Sequence, residues 1–244
     1  SDVTLATLLN SAGYTCGGFG KWGLGDVDTP GTPERHGFDT FFGYYHQVHA
    51  HTYYPSYLWR NSKKVELPGN NDGDEGKTYS HYRIFEETCN FIRKNSNRPF
   101  FCYAPWTLPH GRYIIPQDDP VWQIYQDKPW SSSAKVAAAM ISLFDRHVGQ
   151  LLQLLQSLDL DDNTVIMVSS DHGAGFRFEG ELDSCQPLRG HKRTMYEGGI
   201  RVPTIVRWNS QIPKEQVSNH PWYFPDIMPT LLDLADLPVP KDID

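Results

Sequence analysis

The sequence predicts an α/β fold built on a largely parallel central sheet, and three observations carry that prediction. Helix-period segments alternate with short apolar runs along the chain. Runs such as NTVIMVS at residues 163–169 lack the in–out alternation of a solvent-facing strand and read as strands covered on both faces. No internal repeat or low-complexity tract interrupts the pattern.

Taken in order, residues 4–12 place Leu5, Leu8, Leu9 and Ala12 at helical spacing, and Gly13 is a natural stop. Residues 14–22 read as a short strand entering a Gly-rich turn. From residue 26 to 71 Pro, Gly, His and Tyr dominate and no period holds, which predicts long loops with room for one hairpin. The density of Tyr44, Tyr45, Tyr53, Tyr54, Tyr57 and Trp59 argues that these loops are packed and functional. Residues 79–94 read as a helix and residues 99–106 as a buried strand. The clearest helix spans residues 133–158, where Val136, Met140, Leu143, Phe144, Val148, Leu151, Leu152 and Leu155 form one apolar stripe. Residues 163–169 and 202–208 are strands, and residues 225–235 a helix with Pro near its start.

Composition narrows the classes of function. The 244 residues allow one large domain or two small ones, and 39% hydrophobic residues supply a sizeable core. No apolar run approaches the ~20 residues of a membrane helix, so no membrane span is expected. A net charge of −7 without a basic tract argues against nucleic-acid binding. Cys16, Cys89, Cys102 and Cys185 show neither a CxxC pair nor zinc-ligand spacing, and leave disulfides open. The first residues, Ser1 and Asp2, show no initiator Met and no signal peptide, so the chain reads as a piece of a longer protein.

In open α/β sheets, ligands gather at the carboxyl ends of the strands. Four segments fall there. Ser169-Ser170-Asp171-His172-Gly173 follows an apolar strand, and its carboxylate and imidazole suit a divalent cation; a capped turn is the plain alternative. Gly20-Lys21-Trp22-Gly23-Leu24-Gly25 places a cation beside backbone that can approach a ligand, although its spacing fits neither a Walker loop nor a dinucleotide fingerprint. Thr107-Leu108-Pro109-His110 ends another strand. Leu188 to Lys192, continuing to Pro203, gathers Arg189, His191, Lys192, Arg193 and Arg201 in an otherwise acidic chain, either an anion cradle or a solvated basic loop. A cation with lysines and histidines around an anionic group is the apparatus of phosphoryl or sulfuryl transfer.

These motifs resemble the formylglycine-dependent sulfatases of the alkaline phosphatase superfamily. The matching text runs through almost the whole chain: TLATLLNSAGYTCGGFGKWGLG, GFDTFFGYYHQVHAHTYYPSYLWRN, FFCYAPWTLPH, TVIMVSSDHGAG, LRGHKRTMYEGGIRVPTIVRW and HPWYFPDIMPTLLDLADLP. The stretch from Gln47 to Trp59 looks most like the bacterial arylsulfatase A type. The resemblance implies a three-layer α/β sandwich of alkaline phosphatase type and hydrolysis of a small-molecule or glycan sulfate ester. It makes Asp171 and His172 metal ligands, with Ca2+ the usual ion, Lys21 and Lys192 the sulfate-binding lysines, and His110 the acid near the leaving oxygen. A phosphate or phosphonate ester hydrolase of the same superfamily, and a non-catalytic protein that binds a sulfated ligand, are the alternatives.

Two departures from the family pattern stand out. Many members read GKWHLG, with a histidine that orients the nucleophile; here the position is Gly23, and His46 or His51 are its candidate substitutes. The Cys/Ser-x-Pro-x-Arg motif that yields the formylglycine, and the Asp-Asp pair that completes the metal site, are absent from their expected place upstream. Cys185-Gln186-Pro187-Leu188-Arg189 matches the first motif formally but on the wrong side of Asp171. Asp118-Asp119 and Asp161-Asp162 follow no strand. The resemblance thus implies that residues 1–244 are one partial catalytic domain, lacking the nucleophile segment and a C-terminal subdomain. The chain alone is expected to have little or no sulfatase activity. Periplasmic or secreted localisation follows from the resemblance only.

Overall fold

The Gly-rich run TCGGFGK forms the strand on which the sheet of the first of two units is built. The computed structural model describes residues 3–175, 178 and 180–241; Ser1, Asp2 and residues 242–244 lie outside the described residues. It divides into Ser1–Arg112 with Val217–Asp244, and Tyr113–Gln216.

In the first unit, α1 (Leu5–Ser11) is capped by Thr4, whose hydroxyl accepts from Thr7 N at 3.1 Å, and is followed by Gly13 at φ +93°. β1 (Thr15–Lys21) pairs in parallel with β2 (Thr40–Tyr44) on one side and β5 (Phe100–Tyr103) on the other. An antiparallel hairpin, β3 (Tyr57–Arg60) and β4 (Lys63–Glu66), extends the sheet beyond β2, giving the order β4-β3-β2-β1-β5. The sheet is thus mixed, and parallel at β2-β1-β5, the strands that lead into the Lys21 and His110 segments.

Alternation along β1 decides what covers each face. Cys16 joins Ala6 and Leu9 of α1, Phe41 of β2 and Leu232 of α6 (Ile227–Leu234) in one core. Gly17 and Phe19 face α2 (Ser80–Lys94): the Phe19 and Phe91 rings lie 5.3 Å apart, and a side chain on Gly17 would meet the Phe91 ring at 2.7 Å. Helices therefore cover both faces, the three-layer arrangement that the resemblance implied.

The stretch 26–71 corrects the loop reading, because β2 lies within it. TFFGY does not alternate: Phe41, Phe42, Gly43 and Tyr44 are all buried between the two helical layers. The aromatic residues after β2 are packing. Tyr44, Tyr45 and Tyr53 are fully buried, and Tyr45 stacks on Trp59 with centroids 5.6 Å apart. The strand at 99–106 shortens to β5 and is half-buried, with Tyr103 at the surface.

In the second unit, α3 (Pro120–Tyr125), which the sequence reading missed, packs on α4 (Ser132–Ser157). Ser131 caps α4 by accepting from Ala134 N, and Glu181 accepts in turn from the Ser131 hydroxyl at 2.7 Å. β6 (Ile166–Val168) pairs antiparallel with β7 (Ile205–Arg207). The expectation of two covered faces fails here. Among the described residues this ladder has only two strands, so β6 is half-buried and Ile205 is 63% exposed.

Both Asp pairs set aside in the sequence do structural work. Asp119 caps α3 through Val121 N and holds Arg146 by two bonds of 2.9 and 2.7 Å. Asp161 holds Arg207, which keeps its carboxyl below the usual carboxylate range, and Asp162 accepts from Asn209.

Two predictions concern stability. Gly43 sits at φ +151° with its missing Cβ 2.0 Å from Gly20 O. Gly43→Ala is expected to destabilise by at least about 2 kcal/mol, read by urea denaturation. Burial, with Arg146 repelling its charge and Asp119 opposing, pushes the His147 imidazole down to about 4. An unfolded histidine titrates near ~6.5 and takes up a proton that the folded one refuses. The contribution is therefore complete above that pH and is lost as the pH falls toward 4. Melting curves of His147→Gln should fall less steeply across that window than those of the wild type.

Candidate functional site

The three parallel strands of the first unit deliver their carboxyl ends to one edge. Lys21 closes β1, and its backbone N–H donates to Pro105 O at 2.9 Å, fixing the segment that leaves β5 against the end of β1. That approach needs Gly20, at φ +138°, because a Cβ there would lie 2.2 Å from Pro105 O. Past the strand, Trp22 N and Gly23 N bond to Tyr44 O and Tyr45 O at 2.8 and 2.9 Å, so the turns after β1 and β2 stay side by side. Trp22 is an anchor: buried, it donates from Nε1 to Gly31 O at 2.6 Å and sets its edge on Phe38 and Phe41.

The segment leaving β5 ends in a tight turn, where His110 N donates to Thr107 O at 2.7 Å. The buried Tyr53 hydroxyl shares its proton between Thr107 O (3.0 Å) and His110 O (2.9 Å), clamping both sides of the turn. The two candidates for replacing the histidine absent at position 23 part company. The His51 ring lies over His110, centroids 4.9 Å apart and planes at 31°. His46 accepts from Val48 N through Nδ1 and lines a pocket with Gly23. A third histidine, His49, is half-buried between Tyr44 and Tyr57; burial holds its imidazole below the usual value.

In the second unit the turn after β6 carries Asp171 and His172, with side chains 71% and 36% exposed. His172 Nδ1 lies 3.0 Å from Gly173 O, a contact that only an N–H satisfies. On the other side of the ring, Nε2 lies 3.3 Å from Asp171 Oδ2. The turn thus holds a carboxylate and an imidazole side by side, residue types that could hold a divalent cation. Among the described residues no group of three or more His, Cys, Asp or Glu completes such a site.

Lys192 N donates to Ala174 O at 2.8 Å, joining the basic segment to the Asp171–His172 turn. The segment contains a helical turn, α5 (Glu197–Ile200), packed so closely that a Cβ on Gly173 would lie 1.9 Å from Gly198 O. Its cations divide. Arg189 stacks on Tyr196 at 3.8 Å and bonds its hydroxyl; Arg201 pairs with Glu197. The ammonium of Lys192, like that of Lys21, has no partner among the described residues. Cys185 directs its thiol at Ala174 O and Gly198 O, inside this packing.

Each unit thus presents an unpaired lysine on a turn held by glycine-mediated backbone contacts: Lys21 with His110 in the first, Lys192 with Asp171 and His172 in the second. The chain belongs to the sulfatase family, whose model, described as Sulfatase, matches residues 1–237. It is 31% identical over 259 residues to N-acetylgalactosamine-6-sulfatase of Rattus norvegicus, an alignment covering 99% of this chain and 46% of that protein. Among solved structures it is similar to Ps i-CgsB in complex with k-i-k-neocarrahexaose, at 27% identity and TM-score 0.85, covering 98% of this chain and 55% of that one. The PsFucS1 sulfatase from Pseudoalteromonas sp. matches at 26% identity and TM-score 0.77, covering 97% and 50%. The chain spans about half the length of the curated relatives it matches.

The clamp on the His110 turn is testable. Tyr53→Phe removes the proton that two carbonyls share, and is expected to cost about 1–3 kcal/mol in urea denaturation. It should also speed amide hydrogen exchange at His110.

Proposed function

We propose that the protein carrying this chain is a sulfuric ester hydrolase acting on a small-molecule or glycan sulfate ester. The observation that carries this reading is the match of the Sulfatase family model to residues 1–237, within which Lys21 and Lys192 stand at backbone positions held by hydrogen bonds to Pro105 O and Ala174 O. Lys21 and Lys192 are left without partners among the described residues, while Arg189 and Arg201 are engaged. An unpaired cation on a rigid turn is poised for an anion that arrives from outside.

In this reading Lys21 and Lys192 bind sulfate oxygens and hold the charge that builds as the S–O bond breaks. His110, fixed by the Tyr53 clamp, gives a proton to the departing alkoxide oxygen. Asp171 and His172 would be two of the ligands of a divalent cation, with calcium the first candidate from the family resemblance. When bound, the ion supplies Lewis-acid stabilisation of sulfate charge. A nitrogen donor is unusual for so hard an ion, so the second ligand is what decides between metals. The nucleophile and the remaining metal ligands are assigned to sequence outside residues 1–244, which form a partial catalytic domain. The engagement of Cys185 with backbone oxygens and of Asp119, Asp161 and Asp162 with structural partners supports that assignment. No helix among the described residues is long and apolar enough to cross a membrane. Export to the periplasm or medium is proposed from the resemblance alone.

The full-length protein should hydrolyse an aryl sulfate faster than the matching aryl phosphate; the reverse order overturns the sulfatase reading. Lys21→Ala is expected to lower kcat/KM about 10²–10³-fold. His110→Ala should cost about 10²–10⁴-fold on sulfate esters of ordinary alcohols, yet far less on 4-nitrophenyl sulfate, whose leaving group needs no proton. An equal loss on both substrates would remove His110 from the role of acid.

A further inference from the structure

A pocket of about 380 Å³ opens where the turns after β1 and β2 run side by side, lined by Gly23, Leu24, Gly25, Asp26, Tyr45, His46 and Gln47. It begins two residues beyond Lys21, at the carboxyl ends of adjacent parallel strands, where open α/β sheets bind ligands. We propose that this pocket is a carbohydrate subsite, holding a neutral, hydroxylated sugar ring of the ester, with Gln47 as its specificity-determining residue. The proposal rests on the sulfatase reading and names the class of substrate.

The lining chooses among occupants. Asp26 is the only formally charged side chain in it, so the pocket repels a sulfate group and leaves that anion to the lysines. An aromatic ring finds no platform: Tyr45 is fully buried, stacked on Trp59 and Phe41, with its hydroxyl bonded to Glu34. What the pocket offers is a carboxylate, an imidazole and a carboxamide beside Leu24, an apolar side chain 74% exposed. Planar polar groups that donate and accept, next to one apolar side chain, match a sugar, whose hydroxyls lie around the edge of a ring with C–H faces.

Gln47 is singled out by its setting. Gly23, at φ +78°, leaves room that a side chain would fill; its absent Cβ lies 3.1 Å from Gln47 Cγ and 3.3 Å from Nε2. The Gln47 side chain therefore rests on the bare backbone of position 23. Its carboxamide has no hydrogen-bond partner among the described residues, whereas Asp26 Oδ1 accepts from Val27 N and His46 Nδ1 from Val48 N. Of the three polar groups, Gln47 alone has its whole hydrogen-bonding capacity free for a ligand.

The test uses the full-length protein, its Gln47→Leu variant, and Asp26→Asn, which keeps the acceptor to Val27 N. Saturation-transfer NMR with unsulfated methyl glycosides of glucose, galactose, fucose and N-acetylgalactosamine reads the pocket without the reaction. At least one glycoside is expected to receive saturation from the wild type and to lose it with Gln47→Leu. In kinetics, Gln47→Leu should raise KM for a sulfated sugar at least fivefold with kcat within twofold, and leave 4-nitrophenyl sulfate unchanged. No transfer to any glycoside, transfer that survives Gln47→Leu and Asp26→Asn, or an equal KM rise on both esters overturns the subsite. A wild type that turns over neither sulfate ester, yet transfers saturation to a glycoside lost with Gln47→Leu, overturns the hydrolase reading and leaves the subsite standing.

Discussion

The contact on which the first unit depends is backbone against backbone. Gly20 tucks against Pro105 O on one side, and Gly43 tucks against Gly20 O on the other, each at a distance that admits no Cβ. Ordinary strand pairing needs no such closeness. Here it nests the end of β1 between the segment leaving β5 and the end of β2, and the consequences run outward. Lys21 N is held by Pro105, Trp22 and Gly23 by Tyr44 and Tyr45, and the His110 turn follows from the same β5 segment. The glycines of GKWGLG and FFGYY thus answer to packing first. That is why the motif matches no nucleotide-binding spacing: its glycines serve a neighbouring strand.

The second unit shows how function can be read from what structure leaves over. Acidic and basic side chains in a folded domain usually find each other, and a buried carboxylate without a partner is costly. Asp119 with Arg146, Asp161 with Arg207 and Arg201 with Glu197 obey that rule, and Arg189 lies on a tyrosine. Among the described residues Lys192 has no such partner, and Asp171 meets only its neighbour His172, at 3.3 Å. Their turns are fixed by Lys192 N to Ala174 O and Gly173 N to Gly199 O, so their exposure is imposed by a rigid backbone and not by a loose loop. Rigid placement of unsatisfied charge stabilises a fold poorly and suits a ligand well.

Sequence made the long elements legible because their physics is local. The apolar stripe of α4 placed its ends within one residue, and α2 did as well. β2 was not legible: TFFGY is buried on both sides by helices far from it in sequence, α1 ending at Ser11 and α2 beginning at Ser80, and neither alternation nor length marks it. The apolar run at β6 misled in the other direction, since composition reports what a strand is able to bury and not what lies over it. The lysines and histidines proposed for the site stand on motif order, a family signal. That the Tyr44–Trp59 aromatics pack against each other, and that Gln47 meets Gly23, depended on contacts across the β1 and β2 turns that no spacing rule encodes.

The two histidines HQVHAH offered for the empty place at position 23 show why the edge divides its work. His51 is carried by the short helical turn after β2 onto His110, the proposed acid. His46 stays at the mouth of the β2 turn, beside Gly23 and Gln47. A histidine at position 23 would set its Cβ 3.1 Å from Gln47 Cγ, so that Gln47 would have to give slightly, and would need a left-handed φ that disfavours it. Position 23 and position 47 are therefore coupled: a side chain on the β1 turn would press on Gln47, and glycine lets it rest on bare backbone. Lys21, fixed by strand pairing, has no such freedom. Turns that adjust to each other in this way, on strands whose ends are fixed by backbone pairing, are how one scaffold keeps its frame while changing what it recognises.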